Sequence, residues 1–152
     1  MSYEVKEGEI LLFITSKGKV NDIVRSLGAE SLGRDEAGAP YLVGASYAVS
    51  LSHKGDVVAF ALSNAPVGVD VEDTTVPRNV ERLSKLFHET EKPTTLYDFY
   101  KVWTAKEAYG KLLKSGITTE ILRAATPAGH YVEWGDYVIC VMGEGDVKQI
   151  EQ

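Results

Sequence analysis

The sequence has a single cysteine, no long apolar run and no excess of positive charge. With Cys140 alone no intrachain disulfide can form, which fits a reducing compartment. The N-terminal MSYEVKEGEI is acidic and lacks the pattern of a signal peptide. The apolar run at 10–14 is far too short to span a bilayer. These absences argue against secreted disulfide scaffolds and membrane-spanning proteins, and we expect a cytoplasmic protein.

Several sequence motifs are also missing. The sequence contains no GxxxxGK[ST] loop, no GxGxxG fingerprint, no GxSxG elbow and no HExxH pair, so nucleotide binding through those loops and zinc-protease chemistry are unsupported. The net charge of −6 argues against a general nucleic-acid binder, which needs a basic surface.

The composition is that of an ordinary globular domain. The 152 residues are 44% hydrophobic and 25% charged, which suits one domain over 1–152 or two small halves packed as one. The charge is uneven, with a net −5 on 1–77, +3 on 78–114 and −4 on 115–152. The basic segment 78–114 is either a solvated helix face or a docking surface for an acidic partner.

Hydrophobic periodicity predicts a mixture of strands and helices. We expect strands at 8–15, 47–52, 57–62 and 67–72, and a C-terminal hairpin of YVEW and YVICVM around the Gly135-Asp136 turn. Helices are expected at about 18–29, 78–92 and 95–115, a loop at 33–46 and a terminal turn at 143–146. Without strict βαβ alternation, the order predicts an α+β fold whose mostly antiparallel sheet packs against helices.

Two carboxylates share one face of the strand VGVDVE. Because side chains alternate along a strand, Asp70 and Glu72 point the same way and lie roughly 6.5–7 Å apart. This spacing suits a hard divalent cation such as Mg²⁺. A solvent-facing acidic strand would show the same pattern.

A third carboxylate falls within an apolar stripe of the long helix. At 100° per residue, Glu107 lies in the same direction as Leu96, Phe99 and Trp103. An inward glutamate needs a cation, and Lys111 lies one turn further on. Glu107 is therefore either half of a structural pair with Lys111 or part of a functional site.

A histidine lies at the tip of the hairpin formed by the second and third predicted strands. His53 occupies the kind of loop position where binding groups gather, although an exposed surface histidine is the simpler interpretation. With one cysteine and three histidines, no zinc-ligand spacing exists.

Taken together, three blocks in this order resemble the Sfp type of the 4'-phosphopantetheinyl transferase family. They are Gly38-Ala39-Pro40-Tyr41 leading into Ser50-Leu51-Ser52-His53, then Gly68-Val69-Asp70-Val71-Glu72, then Trp103-Thr104-Ala105-Lys106-Glu107-Ala108 followed by Lys111. Phe87 and Glu91 resemble the F-x-x-x-E segment of the family. The likeness covers roughly residues 33–123.

The resemblance implies a function and a set of site residues. Members of the family transfer the phosphopantetheine arm of coenzyme A (CoA) to a serine of a carrier protein and release 3',5'-ADP. Asp70, Glu72 and Glu107 would hold Mg²⁺ with the CoA pyrophosphate, and Glu107, or a water it orients, would take the serine proton. Lys111 would stabilise the departing phosphate. The expected contacts to CoA are His53, Ser52, Arg34 and Lys106.

The resemblance also implies two pseudo-symmetric halves, roughly 1–66 and 67–152, with CoA between them. The sequence departs from the family pattern in two places. Ala39 stands where the family usually has lysine, and the N-terminal half is abridged. Both departures favour the alternative of a non-catalytic relative that binds CoA or a carrier protein. Carriers of fatty-acid, polyketide and nonribosomal-peptide synthesis all remain open, as do a monomer and a small homo-oligomer.

Overall fold

The computed structural model describes residues 2–152, which form nine strands, four α-helices and a 3-10 turn at 17–19. The strands are β1 (Glu9–Thr15), β2 (Ser31–Arg34), β3 (Pro40–Val43), β4 (Ala48–Lys54), β5 (Val57–Ser63), β6 (Val67–Asp73), β7 (His130–Trp134), β8 (Tyr137–Gly143) and β9 (Asp146–Glu151). The helices are α1 (Val20–Ser26), α2 (Val80–Ser84), α3 (Leu96–Leu112) and α4 (Thr119–Arg123).

Two sheets pack face to face between helices. The first has the order β4-β5-β1-β9 and the second has the order β6-β8-β7, while β2 and β3 form a separate hairpin. Alternating apolar side chains fill both faces of β1, so Leu11 and Phe13 pack towards α1 and Ile10 and Leu12 pack against the second sheet. The outer face of the second sheet, which includes Cys140, lies against α3. The layers therefore run α1 with the hairpin, first sheet, second sheet, α3.

Serine hydroxyl groups join the two sheets. The backbone N–H groups of Val69 and Val71 on β6 donate to the hydroxyl oxygens of Ser50 and Ser52 on β4, at 3.0 and 3.2 Å. These bonds satisfy buried amides that would otherwise lack a partner, since no backbone ladder joins β4 to β6. The alternation of Ser50 and Ser52 thus fixes how β4 lies along β6.

Helix α3 lies directly on β6 because Gly68 has no side chain. A Cβ atom at position 68 would come within 1.9 Å of the Ala108 carbonyl oxygen and 2.6 Å of the Leu112 nitrogen. The helix begins at a capped N-terminus, where the Thr95 hydroxyl oxygen accepts a hydrogen bond from the backbone N–H of Asp98. The close contact brings the C-terminal half of α3 over the carboxylates of β6.

The predicted α+β class with a mostly antiparallel sheet is confirmed; β9, which pairs with β1, is parallel. The strands at 8–15, 47–52, 57–62 and 67–72, the long helix and the hairpin around Gly135-Asp136 are found within a few residues of their predicted bounds. The division into two halves stays a prediction. Strand β9, from the C-terminal half, lies in the sheet built by the N-terminal half.

Three local predictions were wrong, and one helix was missed. The predicted loop at 33–46 contains most of the β2–β3 hairpin, and the predicted helix at 78–92 is helical only at 80–84. Helix α4 was not predicted. The turn at 143–146 leads into β9 rather than ending the fold, and its alternating Val147 and Ile150 pack on opposite faces of the first sheet.

None of the helices formed by residues 2–152 is long and apolar enough to cross a membrane.

Candidate functional site

Strand β6 carries the two predicted carboxylates side by side. Asp70 is buried, with 6% of its surface exposed, and faces α3. The Ser52 hydroxyl donates to Asp70 Oδ1 at 3.1 Å and so fixes its orientation. Glu72, two residues further along the strand, is partly buried beside Lys54.

Helix α3 adds a cation and a third carboxylate. The Lys111 ammonium lies 3.6 Å from Asp70 Oδ1 and donates to the Leu51 carbonyl oxygen at 3.3 Å. Glu107, one turn earlier, is half-buried and faces the same ammonium and Glu72 closely enough for both to affect its pKa. The structure therefore brings together the four residues that the sequence predicted as metal ligands and catalytic groups.

In this acidic cluster of Asp70, Glu72 and Glu107, the negative charge of Glu72 disfavours the ionisation of both Asp70 and Glu107. Burial raises the pKa of Asp70 to about 7 against the opposing charge of Lys111, and the charges of Glu72 and Glu107 add to the rise. Burial likewise raises the pKa of Glu107, and the charge of Glu72 adds to it against Lys111 and Lys54. Adding a cation between the carboxylates would relieve this repulsion.

Sequence reasoning missed Lys54. Its ammonium lies 3.4 Å from Glu72 Oε1 at the open end of the acidic cluster. The residues Ser50, Ser52 and Lys54 share one side of β4, just as Gly68, Asp70 and Glu72 share one side of β6. Once Ser52 is paired with Asp70, the same two-residue step pairs Lys54 with Glu72.

The acidic cluster has the chemistry to hold Mg²⁺. Three carboxylates supply the oxygen ligands that this ion prefers, and Asp70 Oδ2 is buried with no hydrogen-bond partner among residues 2–152. Within the same residues, no group of three or more His, Cys, Asp or Glu side chains meets the geometry of a metal site. Lys111 and Lys54 balance Asp70 and Glu72 in the structure described.

A cavity of about 580 Å³ adjoins the acidic cluster. The β2–β3 hairpin, β4 and the C-terminal end of α3 form its walls, and Lys111 belongs both to the cavity and to the cluster. Arg34 lines the cavity and donates to the Gly38 carbonyl oxygen at 3.0 Å, and its contact with CoA stays a prediction. His53 is exposed at the end of β4.

Ser52 and Lys106, both predicted as CoA contacts, lie elsewhere. The Ser52 hydroxyl is buried and is used by Asp70 and the Val71 amide. Lys106 is fully buried, and its ammonium donates to Glu91 Oε1 at 2.7 Å and to the carbonyl oxygens of Ile121 and Ala124 at 3.2 and 2.8 Å. All three of its N–H donors are occupied, so the predicted contact between Lys106 and CoA does not fit this geometry.

Comparison with known proteins finds a family match that begins near the middle of the chain. Residues 66–128 match the family model described as the 4'-phosphopantetheinyl transferase superfamily. This segment includes Asp70, Glu72, Glu107 and Lys111.

Two curated proteins are similar to this chain. The 4'-phosphopantetheinyl transferase gsp of Aneurinibacillus migulanus is 29% identical over 92 residues, which cover 55% of this chain and 38% of the relative. The 4'-phosphopantetheinyl transferase psf-1 of Bacillus pumilus is 33% identical over 81 residues, covering 48% of this chain and 34% of the relative. The chain thus spans little more than a third of the length of these relatives. The matches confirm the resemblance predicted from the three sequence blocks.

Proposed function

We propose that this chain, whose resemblance to 4'-phosphopantetheinyl transferases is confirmed, transfers the 4'-phosphopantetheine arm of CoA to a serine of an apo acyl or peptidyl carrier protein, with Mg²⁺ and with release of 3',5'-ADP. The observation that carries this proposal is the convergence of Asp70, Glu72 and Glu107 with Lys111 at the edge of a cavity. A purely structural role would not require a buried carboxylate oxygen without a partner.

The reaction is a phosphoryl-type transfer. The carrier serine oxygen forms a bond to the pantetheine-bearing phosphorus of the CoA pyrophosphate, and the bond from that phosphorus to the bridging oxygen breaks. The bridging oxygen leaves with 3',5'-ADP. Such a reaction depends mainly on positioning and on neutralisation of phosphate charge.

The side chains divide this work between them. Glu107 is half-buried and its pKa is raised by burial, so its carboxylate is a suitable acceptor for the serine proton, directly or through a water that it orients. Lys111 would donate to the departing phosphate from the boundary between acidic cluster and cavity. Ser52 is a positioning residue, because its hydroxyl holds Asp70.

Asp70, Glu72 and Glu107 are the residues that would hold Mg²⁺. When bound, the ion supplies positive charge to the pyrophosphate oxygens. Lys54 and Lys111 would then be free to turn from the carboxylates towards phosphate oxygens. Arg34, in the cavity wall, and the exposed His53 are the further CoA contacts of the proposal.

The carrier protein would dock on the basic segment 78–114. This segment has a net charge of +3 in an acidic chain, and its exposed Arg82 and Lys85 precede the exposed Leu86. A basic surface with an apolar residue suits an acidic helix of a carrier.

The test is a mass-shift assay against a panel of apo carrier proteins from fatty-acid, polyketide and nonribosomal-peptide synthesis. With CoA and Mg²⁺ we expect one carrier or more to gain the mass of one phosphopantetheine, and chelation of the metal to stop the gain. A carrier with its acceptor serine changed to alanine is the control. If the chain binds CoA but no carrier in the panel gains mass, transfer to these carriers is wrong.

The second candidate is a relative that binds CoA or a carrier without transfer. It is favoured by Ala39 in the wall of the cavity, where a lysine would add a cation, and by the two lysines that already balance the acidic cluster. Calorimetry of CoA binding with and without Mg²⁺ separates the candidates, since binding that does not depend on metal favours this one.

A further inference from the structure

Lys114 has a backbone conformation that is normally adopted by glycine. Its φ is +60°, and it is the only non-glycine residue with a positive φ in the described chain. In this left-handed region the Cβ atom of an L residue crowds the backbone, which makes the conformation unfavourable for residues other than glycine. Such strained residues often occur at ligand sites.

The hydrogen bonds around Lys114 show why this conformation is imposed. The Lys114 amide donates to the Lys111 carbonyl oxygen and the Ser115 amide donates to the Gly110 carbonyl oxygen, both at 3.1 Å. This is the Schellman motif that ends many helices, and Lys114 occupies the position where glycine is strongly enriched. Glycine would fit this backbone conformation better than the lysine that the chain has here.

The cavity beside Lys114 is positively charged although the protein is acidic. Among the described residues that line it, Arg34, Lys111 and Lys114 are basic and none is acidic, whereas the chain has a net charge of −6. Arg34 and Lys111 each already donate to a protein carbonyl, at Gly38 and Leu51. The three cations come from two separate parts of the fold, the β2–β3 hairpin and the end of α3.

We propose that Lys114 is a phosphate-binding residue of this cavity, which holds a polyphosphorylated nucleotide between the end of α3 and the β2–β3 hairpin. The inference rests on the proposed function for the identity of the natural ligand, CoA. Lysine suits this role because its ammonium is a compact charge on a long flexible stem. The left-handed backbone places that stem at the cavity wall, three residues after Lys111. Two lysines at the C-terminal end of α3 therefore line the same cavity.

The test compares Lys114→Gly with the parent chain by calorimetry, using CoA, 3',5'-ADP and inorganic pyrophosphate as separate probes. Loss of one charge-assisted contact should weaken binding of the probes that reach Lys114 about tenfold. Glycine relieves the left-handed strain, so the Tm should stay the same or rise. A merely structural residue would show the opposite pattern, with lower Tm and unchanged affinity.

Two further variants serve as controls. Lys114→Arg keeps the charge and should keep the affinity within about twofold, since the added contact is ionic. Lys148→Gln removes the same charge from β9, which lies outside the cavity lining, and should leave binding unchanged. Comparison of the affinity losses for 3',5'-ADP and for pyrophosphate shows whether Lys114 binds the ribose-linked phosphates or the pyrophosphate.

Each outcome decides the proposal. It is overturned if Lys114→Gly binds all three probes as the parent does, or if the parent binds none of them. If the parent binds CoA through Lys114 but modifies no carrier, the proposed transfer fails while this inference stands. If transfer is found and Lys114→Gly binds normally, the inference fails and the transfer stands.

Discussion

Two of the three lysines of helix α3, Lys106 and Lys111, lie five residues apart and have opposite surroundings. Lys106 is fully buried, and Glu91 and two backbone carbonyls occupy its three donors. The Lys111 side chain is one-third exposed, and its ammonium lies 3.6 Å from a carboxylate whose second oxygen, Asp70 Oδ2, has no partner in the described chain. All three donors of the first lysine are used, whereas the carboxylate beside the second lysine keeps one oxygen without a partner.

The difference separates a structural ion pair from a candidate reactive site. Burial alone would raise the pKa of Glu91, but hydrogen bonds from Lys106 and Thr126 outweigh it and hold the pKa below its ordinary value. Burial raises the pKa of Asp70 to about 7, and Lys111 does not compensate. The contacts between Lys106 and Glu91 therefore favour the ionised form of Glu91, whereas full ionisation of the acidic cluster requires a further cation.

The largest expected effect comes from breaking the Lys106 pair. Lys106→Met should lower the free energy of unfolding by about 3–5 kcal/mol, because it leaves Glu91 unpaired and two buried carbonyls without a donor. Urea unfolding followed by circular dichroism measures the loss. The matched Lys111→Met should cost much less stability, since that side chain is partly exposed.

Adding Glu91→Leu to Lys106→Met should recover much of the lost stability, because an apolar pair replaces the ion pair. A Lys106→Met variant as stable as the parent would contradict the structural role, and equal losses at Lys106 and Lys111 would remove the contrast between the two sites.

The next effect concerns catalysis and depends on the proposed function. Glu107→Ala should lower the rate of carrier modification at least about a hundredfold, as loss of one preorganised catalytic group commonly does. Its Tm should change little, because its carboxylate is only half-buried and repelled by Glu72. The control Glu144→Ala removes an exposed carboxylate between β8 and β9. Normal transfer by Glu107→Ala would refute its role as base or ligand.

The smallest expected effect is a pH dependence at Glu91. A carboxylate whose pKa is lowered in the folded state adds stability above its unfolded pKa, about 4.3, and this is lost as pH falls through the folded value. Glu91→Gln should thus destabilise the protein at pH 7, and the difference from the parent should shrink below about pH 4. Chemical unfolding of both proteins between pH 7 and pH 3 measures it. A difference that does not vary with pH would mean that the charge of Glu91 is unimportant.

Local periodicity was enough to predict much of the fold and the faces on which the carboxylates lie, whereas only the family resemblance implied that they form one site. The alternation in VGVDVE placed Asp70 and Glu72 on one face, and the helical spacing placed Glu107 one turn before Lys111. Their convergence required Gly68, whose missing side chain lets α3 approach β6. The sequence block marked that glycine, although its packing role appears only in three dimensions.

The sequence could not predict features that depend on distant contacts. Lys106 was expected to contact CoA, and its burial could not be predicted because its acceptors Glu91, Ile121 and Ala124 lie 15 to 18 residues away along the chain. The sequence of β9 is mostly polar and does not indicate a strand, which becomes visible only through its parallel pairing with β1. The sequence gives no sign that Lys114 occupies a left-handed position where glycine is usual.

The pairing of β9 with β1 has a consequence for the order in which the protein is assembled. Strand β9 forms one edge of the first sheet, where its Asp146 lies opposite Glu9 of β1. Because β9 comes late in the chain, it leaves the ribosome after nearly all the other residues described. Until then, β1 has an open edge, and unpaired strand edges invite association with other chains. Closing so long a loop is also slow. The nascent chain therefore passes through a stage in which most of its core can form while the buried strand β1 still lacks one neighbour.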